Sequence, residues 1–288
     1  MWKGCAMDKQ GQGFLTIAQN TATVDYLTLA YVQAMNIKSL HPGAKCAVIV
    51  DNETYSKITH KHDRTFDFVI KLPYDENPTD SSWKLLNEYQ ACNLSPFKET
   101  IKLESDLLFT RNIDHWWDAF RFRDVVLSSG CKTYRQVAST SKAYRKFFVD
   151  NDLPDTYNGL MYFRYSQTAY EFFNLAKEIL YSWDQLKVSV LKNCREDKPS
   201  TDVLYALTAK LYGVEKCTIP TMDFINFVHL KPAINGWGTA DFPWHHMVMS
   251  ERDGDMIRVN NLNQYHPVHY HDKNYITQDI IDYYERLF

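Results

Sequence analysis

Glu104 and Asp106 stand one residue apart, directly after the run Thr100-Ile101-Lys102-Leu103. Two carboxylates at that spacing reach one hard divalent cation from a single tight turn, and such a cation takes up the charge that develops on a departing diphosphate. An acid-x-acid triplet alone also describes many solvated turns, so its meaning depends on the residues that join it. His229, in Val228-His229-Leu230-Lys231-Pro232, carries an imidazole that, taken alone, suits a satisfied core position more than a ligand set. His266, His269 and His271 interleave with Tyr265 and Tyr270 but offer neither the helical spacing nor the cysteines of a zinc signature. They are expected to alternate along a strand or to face an acceptor. Lys142, Arg145 and Lys146 form a small basic face, expected to be solvated.

Chemistry of this kind sits at the C-terminal ends of strands in open α/β sheets, so such a sheet must stand behind the acidic pair. Phe14-Leu15-Thr16-Ile17-Ala18 reads as a buried strand closed by Gln19-Asn20-Thr21. Asp25 opens a helical pattern through Leu29, Val32, Met35 and Ile37 that His41-Pro42-Gly43 stops. Ala47–Asp51 and Phe66–Ile70 are the next strands, and Trp83–Leu94 reads as a helix leading into Thr100–Leu103. Val125–Ser129 and Leu160–Phe163 are further strands, and Gln167–Trp183 and Asp202–Tyr212 are helices, with Lys192–Ser200 a surface loop. Val248–Val259 folds back on itself around Asp253-Gly254, and Thr277–Leu287 forms a last amphipathic helix. Strand, helix, strand, strand in this order predicts an α/β fold with an open, mostly parallel sheet. Residues 1–238 are read as the main domain and residues 239–288 as an extension packed on it.

Apolar residues at 45% and charged residues at 23% allow one large core and exclude wholesale disorder. A net charge of −3, from 32 basic and 35 acidic residues, removes the electrostatic case for a DNA-coating protein. The six cysteines form no Cys-x-x-Cys pair, no apolar run is long enough to span a bilayer, and Met1–Gln12 has no apolar leader. The expectation is a cytoplasmic protein with free thiols and no membrane span.

The acidic pair keeps company that changes its reading. Tyr26 and Ala30 lie on the first helix, Val48–Asp51 on the second strand, and Trp83-Lys84 before the metal strand. Leu103-Glu104-Ser105-Asp106-Leu107-Leu108-Phe109 is followed by Asn112-Ile113-Asp114, then by Tyr157-Asn158-Gly159-Leu160-Met161-Tyr162-Phe163 and Thr201-Asp202-Val203-Leu204. Ile219-Pro220, Asn226, Val228-His229-Leu230-Lys231-Pro232 and Trp237 close the series. In this order, from about Phe14 to Trp237, the chain resembles the glycogenin-like glycosyltransferases of the GT-A fold (family 8).

That resemblance implies a Rossmann-like central sheet flanked by helices and a metal-dependent, mostly retaining transfer of sugar from a UDP-sugar. Glu104, Asp106 and His229 would hold Mn²⁺ or Mg²⁺, with Lys84 and Lys231 facing the diphosphate. Ala18, Asn20, Tyr26 and Asp51 would line the nucleotide, Tyr26 by stacking on its base. Asn158 and Asp202 would hold hydroxyls of the transferred sugar. Partners are then a nucleotide-sugar donor and an acceptor, either a glycan or a hydroxymethylated base in DNA of the phage type. The chain departs from the family in Glu104, which stands for an aspartate, and in Val203, which stands for a glutamine. An inverting enzyme would use a carboxylate base, for which Asp202 and Asp223 are the candidates. Two other classes use related folds: a nucleotidyltransferase, whose Gly-rich phosphate loop has no counterpart near Gln19–Thr23, and a non-catalytic nucleotide-sugar-binding protein.

Overall fold

The computed structural model describes residues 8–78, 81, 84–139, 145–219, 225–238, 243–246 and 248–288. The expectations attached to Trp83, Lys142, Pro220 and Asp223 lie outside the described residues. In chain order the first strands are β1 (Gln10–Ala18), β2 (Cys46–Val50), β3 (Phe68–Lys71), β4 (Phe97–Leu103), β5 (Leu107–Leu108) and β6 (Val125–Ser129). They are followed by β7 (Thr156–Arg164), β8 (Val228–His229), β9 (Ser250–Asp253), β10 (Met256–Val259), β11 (Leu262–Asn263) and β12 (Val268–His269).

Six strands make the central sheet in the order β3-β2-β1-β4-β7-β6. The first four are parallel, and β7 runs antiparallel to both β4 and β6. All five residues of β2 are buried, as a parallel strand covered on both faces requires. Alternation then splits them: Val48 and Val50 enter one core, Ala47 and Ile49 the other. The sequence therefore predicts the sheet and its mostly parallel sense correctly.

Asp25 caps the helix Tyr26–Leu40 by accepting from the Thr28 N–H at 3.1 Å. Pro42 cannot continue that helix, and Gly43 takes the turn at φ +84°. The helix is buried on nearly every side, because the sheet covers one face and the C-terminal segment covers another. Its two buried amides, Gln33 and Asn36, consequently find partners in other parts of the chain. Where Trp83–Leu94 was expected to be one helix, the structure has a turn, a 3₁₀ turn at Glu88–Gln90 and a short helix Ala91–Leu94. The reason is local competition from side-chain amides. Asn77 Oδ1 takes the Leu86 N–H at 3.1 Å, and Asn87 Oδ1 takes the Glu76 N–H at 3.0 Å, which fixes a non-helical approach.

The C-terminal segment forms the expected hairpin and helix, with β9 and β10 joined by Gly254-Asp255, one residue past the expected centre, and a final helix Gln278–Glu285. Tyr284 of that helix bonds Asn36 at 2.9 Å and Asp255 at 2.8 Å, tying the segment to the first helix. Among the described residues no helix is long and apolar enough to cross a membrane. The five described cysteines are free.

His41, buried behind the first helix, is fixed in one neutral tautomer. Its Nε2 accepts the Ile113 N–H at 2.9 Å, so Nδ1 donates to Ile37 O, also at 2.9 Å. Burial holds its pKa below the usual value. Protonation would break the Ile113 bond, so the unfolded chain takes up a proton below about pH 6.5 that the folded chain refuses. The histidine's contribution is thus complete above that pH and is lost as pH falls. His41→Phe should cost about 1–3 kcal/mol at pH 7.5, from the orphaned Ile113 N–H, the Ile37 carbonyl keeping the backbone N–H of residue 41. Urea melts at pH 5.5 should show that gap narrowed; a gap that is constant or wider refutes the assignment.

Candidate functional site

The turn after β4 is held from three directions. The Glu104 N–H donates to Gly159 O at 3.1 Å, and the Gln33 amide donates to Glu104 O at 2.6 Å and to Leu107 O at 2.7 Å. From the C-terminal segment, the Tyr270 N–H donates to Asp106 O at 3.1 Å. Gly159 lies within β7, not in a turn, and a Cβ there would come within 3.0 Å of the Phe227 ring. A side chain at 159 would therefore press on the segment that leads into β8.

A second, small sheet completes the site. Its order is β5-β12-β8, with β12 antiparallel to β5 and parallel to β8. His269 consequently sits opposite both Leu107 and His229. Its Nε2 lies 2.8 Å from Asp106 Oδ2 and 3.3 Å from Glu104 Oε2. The Lys273 ammonium also contacts Asp106 Oδ2 and lies 5.7 Å from the centre of the Tyr26 ring. His271 has a left-handed backbone, φ +63°, which is uncommon outside glycine and here turns the chain just past β12. One ligand atom each from Asp106, His269 and His271 lies within 4.8 Å of the others.

The electrostatics follow the burial. Burial alone would raise the Asp106 carboxyl, but the His269 and Lys273 cations outweigh it and hold the group well below the usual carboxylate range. Glu104, half-buried and next to Asp106, is instead pushed up, by partial desolvation first and by the neighbouring carboxylate. His269 rises despite burial because of Asp106, whereas His271 falls to about 3 through burial and the neighbouring His269, Lys231 and Lys273 charges. His229 is driven well below its ordinary value by burial and by His269.

Of the predicted ligands, Asp106 is in the cluster and Glu104 is at its edge. His229 is one ring further back, stacked on His269 with centroids 4.4 Å apart and planes 7° from parallel, its Nδ1 buried without a hydrogen-bond partner. The C-terminal histidines, expected to alternate along a strand or face an acceptor, supply two members of the cluster instead. Asn158 spans the floor, its Nδ2 donating to Glu104 Oε1 at 3.2 Å and its Oδ1 accepting from Lys102 at 3.0 Å. Asp202 Oδ1 accepts the Asn158 N–H at 2.8 Å, and Asp202 Oδ2 lies 3.4 Å from Arg145. Arg145 is buried between the Tyr157 and Phe148 rings, not solvated as expected. Lys231 begins the short helix Pro232–Asn235, close enough to depress both His229 and His271.

The residues expected to line the nucleotide form a second polar group. Lys84 pairs with Asp51 at 2.8 Å, and Asp51 also caps the next turn through the Thr54 N–H at 2.7 Å. Asn20 is turned inward, holding Asp25 and the Leu27 N–H, at the end of β1 where Ala18 is buried. The sequence reading missed Gln33, Asn36, Lys102 and Lys273. Two of them had a signal: Gln33 and Asn36 are amides three residues apart in the otherwise apolar stretch Leu29–Ile37 of the first helix.

No family model matches the sequence, and no curated protein matches it. Solved structures do resemble the fold. The bifunctional glycosyltransferase WbbM, in apo form, has 10% identity and a TM-score of 0.47, over 78% of this chain and 41% of that one. GlyE of Streptococcus pneumoniae TIGR4 has 10% identity and a TM-score of 0.47, over 74% and 45%. These two matches thus span less than half the length of the other chain. An active-site mutant of LgtC has 10% identity and a TM-score of 0.54 over 95% of this chain and 94% of that chain. The fold is that of the GT-A glycosyltransferases.

Proposed function

We propose that the chain is a divalent-cation-dependent glycosyltransferase that moves a sugar from a UDP-sugar to an acceptor hydroxyl. The observation that carries this reading is the meeting of Asp106, His269 and His271 at the end of the strand β4 in a GT-A sheet. The donor set fits a divalent ion: one carboxylate and two imidazoles in mutual reach, with Glu104 beside them. Two nitrogen donors suit Mn²⁺ better than Mg²⁺. When bound, the ion takes up negative charge on the departing diphosphate.

The chain's own groups account for the remaining needs. Lys231 and Lys273 bring two ammonium groups to the cluster, and Tyr26 beside Lys273 offers a ring on which a base can stack. In this reading Asp202, still partly exposed, would hold a sugar hydroxyl, while Asn158, fully buried, braces Glu104 instead. Both Asp202 oxygens are engaged, one by the Asn158 N–H and one against Arg145, which disfavours it as a general base. That supports a retaining path, in which the acceptor approaches the face the diphosphate leaves and catalysis rests on electrostatic stabilisation of the leaving group.

The test is incubation with Mn²⁺ and a panel of nucleotide sugars. Slow hydrolysis of one UDP-sugar, abolished by chelator, is the expected result. Release of pyrophosphate would identify a nucleotidyltransferase and overturn the reading. Adding glycans or hydroxymethylated DNA then identifies the acceptor; a base acceptor must be extruded from the duplex to be reached.

A further inference from the structure

Lys102 lies in β4 two residues before Glu104, with 0% of its surface exposed. A buried ammonium costs several kcal/mol unless it is paired and hydrogen-bonded. Lys102 has two partners: the Glu88 carboxylate, with which it forms a buried ion pair, and Asn158 Oδ1 at 3.0 Å. The second contact sets a direction. A carboxamide has one accepting end and one donating end. With Oδ1 committed to Lys102, Nδ2 faces Glu104 and donates to Oε1 at 3.2 Å. Reversed, the amide would set oxygen against carboxylate and NH₂ against ammonium, replacing two attractions with two repulsions.

We propose that Lys102 is a positioning residue of the cation site, its ammonium locking the Asn158 carboxamide in the orientation that holds the Glu104 carboxylate beside His269. The proposal rests on the cation-binding reading of Glu104 and Asp106 and extends it to a residue that touches neither ion nor substrate. The competing account is that Lys102 merely balances Glu88 inside the protein.

The two accounts separate when both charges are removed together. Replacing a buried ion pair with apolar side chains is often neutral or stabilising, whereas removing one partner strands the other. Lys102→Met/Glu88→Met in the full chain should therefore keep its melting temperature, with Lys102→Met/Glu88→Gln as the alternative if it folds poorly. The readout is the Mn²⁺ dissociation constant by calorimetry, which needs no turnover. We expect the double variant to bind Mn²⁺ roughly tenfold more weakly, as loss of outer partners of a metal site does. Asn158→Ala should weaken binding similarly, and the triple variant should be no weaker than Asn158→Ala alone, because both act through one amide. A folded double variant that binds Mn²⁺ as the parent does, or losses that add in the triple variant, overturns the proposal. A parent that binds no Mn²⁺ overturns the cation reading itself, and this proposal with it.

Discussion

Asp106→Asn should lower turnover by roughly 10³-fold or more and abolish measurable Mn²⁺ binding. Metal stabilisation of a leaving group is worth several kcal/mol, and about 1.4 kcal/mol is a factor of ten in rate. Asp106 supplies the one carboxylate in the cluster, and the asparagine keeps its shape while losing its charge. His269 and Lys273 both lean on that charge in the cation-free protein, so the variant should also melt at a lower temperature. Asp106→Glu, which keeps the charge but shifts it by a methylene, guards against a folding failure and should retain partial binding. A folded asparagine variant within tenfold of the parent in both binding and turnover would show the ion to lie elsewhere.

The second large effect distinguishes two histidines that the sequence presents almost identically. His269→Phe should weaken Mn²⁺ binding at least about 100-fold, because it removes a nitrogen that faces Asp106 at 2.8 Å. His229→Phe should cost no more than about tenfold, since phenylalanine preserves the ring stacked on His269. Calorimetric titration of both variants decides the matter. The reverse order of effects would make His229 the ligand and His269 its support.

Why the sequence did not separate these residues is a matter of topology. Both occur as Val-His, at 228–229 and 268–269, and each is followed by a lysine within four residues. Neither period nor spacing records which strand lies next to β5. In the structure β12 takes the middle place of the small sheet, so His269 neighbours the acidic turn and His229 stands one strand, about 4.8 Å, further away. The local features were legible for the opposite reason. Asp25 as a cap, Val125–Ser129 as a strand and the hairpin between β9 and β10 each depend on neighbours a few residues away. The expected helix at 83–94 failed because the amides of Asn77 and Asn87 outcompeted it, and Asn77 lies outside that stretch.

Asp106 and His269 meet across 163 positions of sequence. During synthesis the central sheet is complete once β7 has emerged, long before β12 exists. A nascent chain, or one halted by a premature stop after Gly238, would thus carry the scaffold with the β12-facing edges of β5 and β8 open, although β8 keeps its bonds to Lys132 on the other side, and open edges invite association with other chains. On the proposed reading, the cation site is completed only when β12 arrives, and the strand that completes it also covers the open edges of β5 and β8.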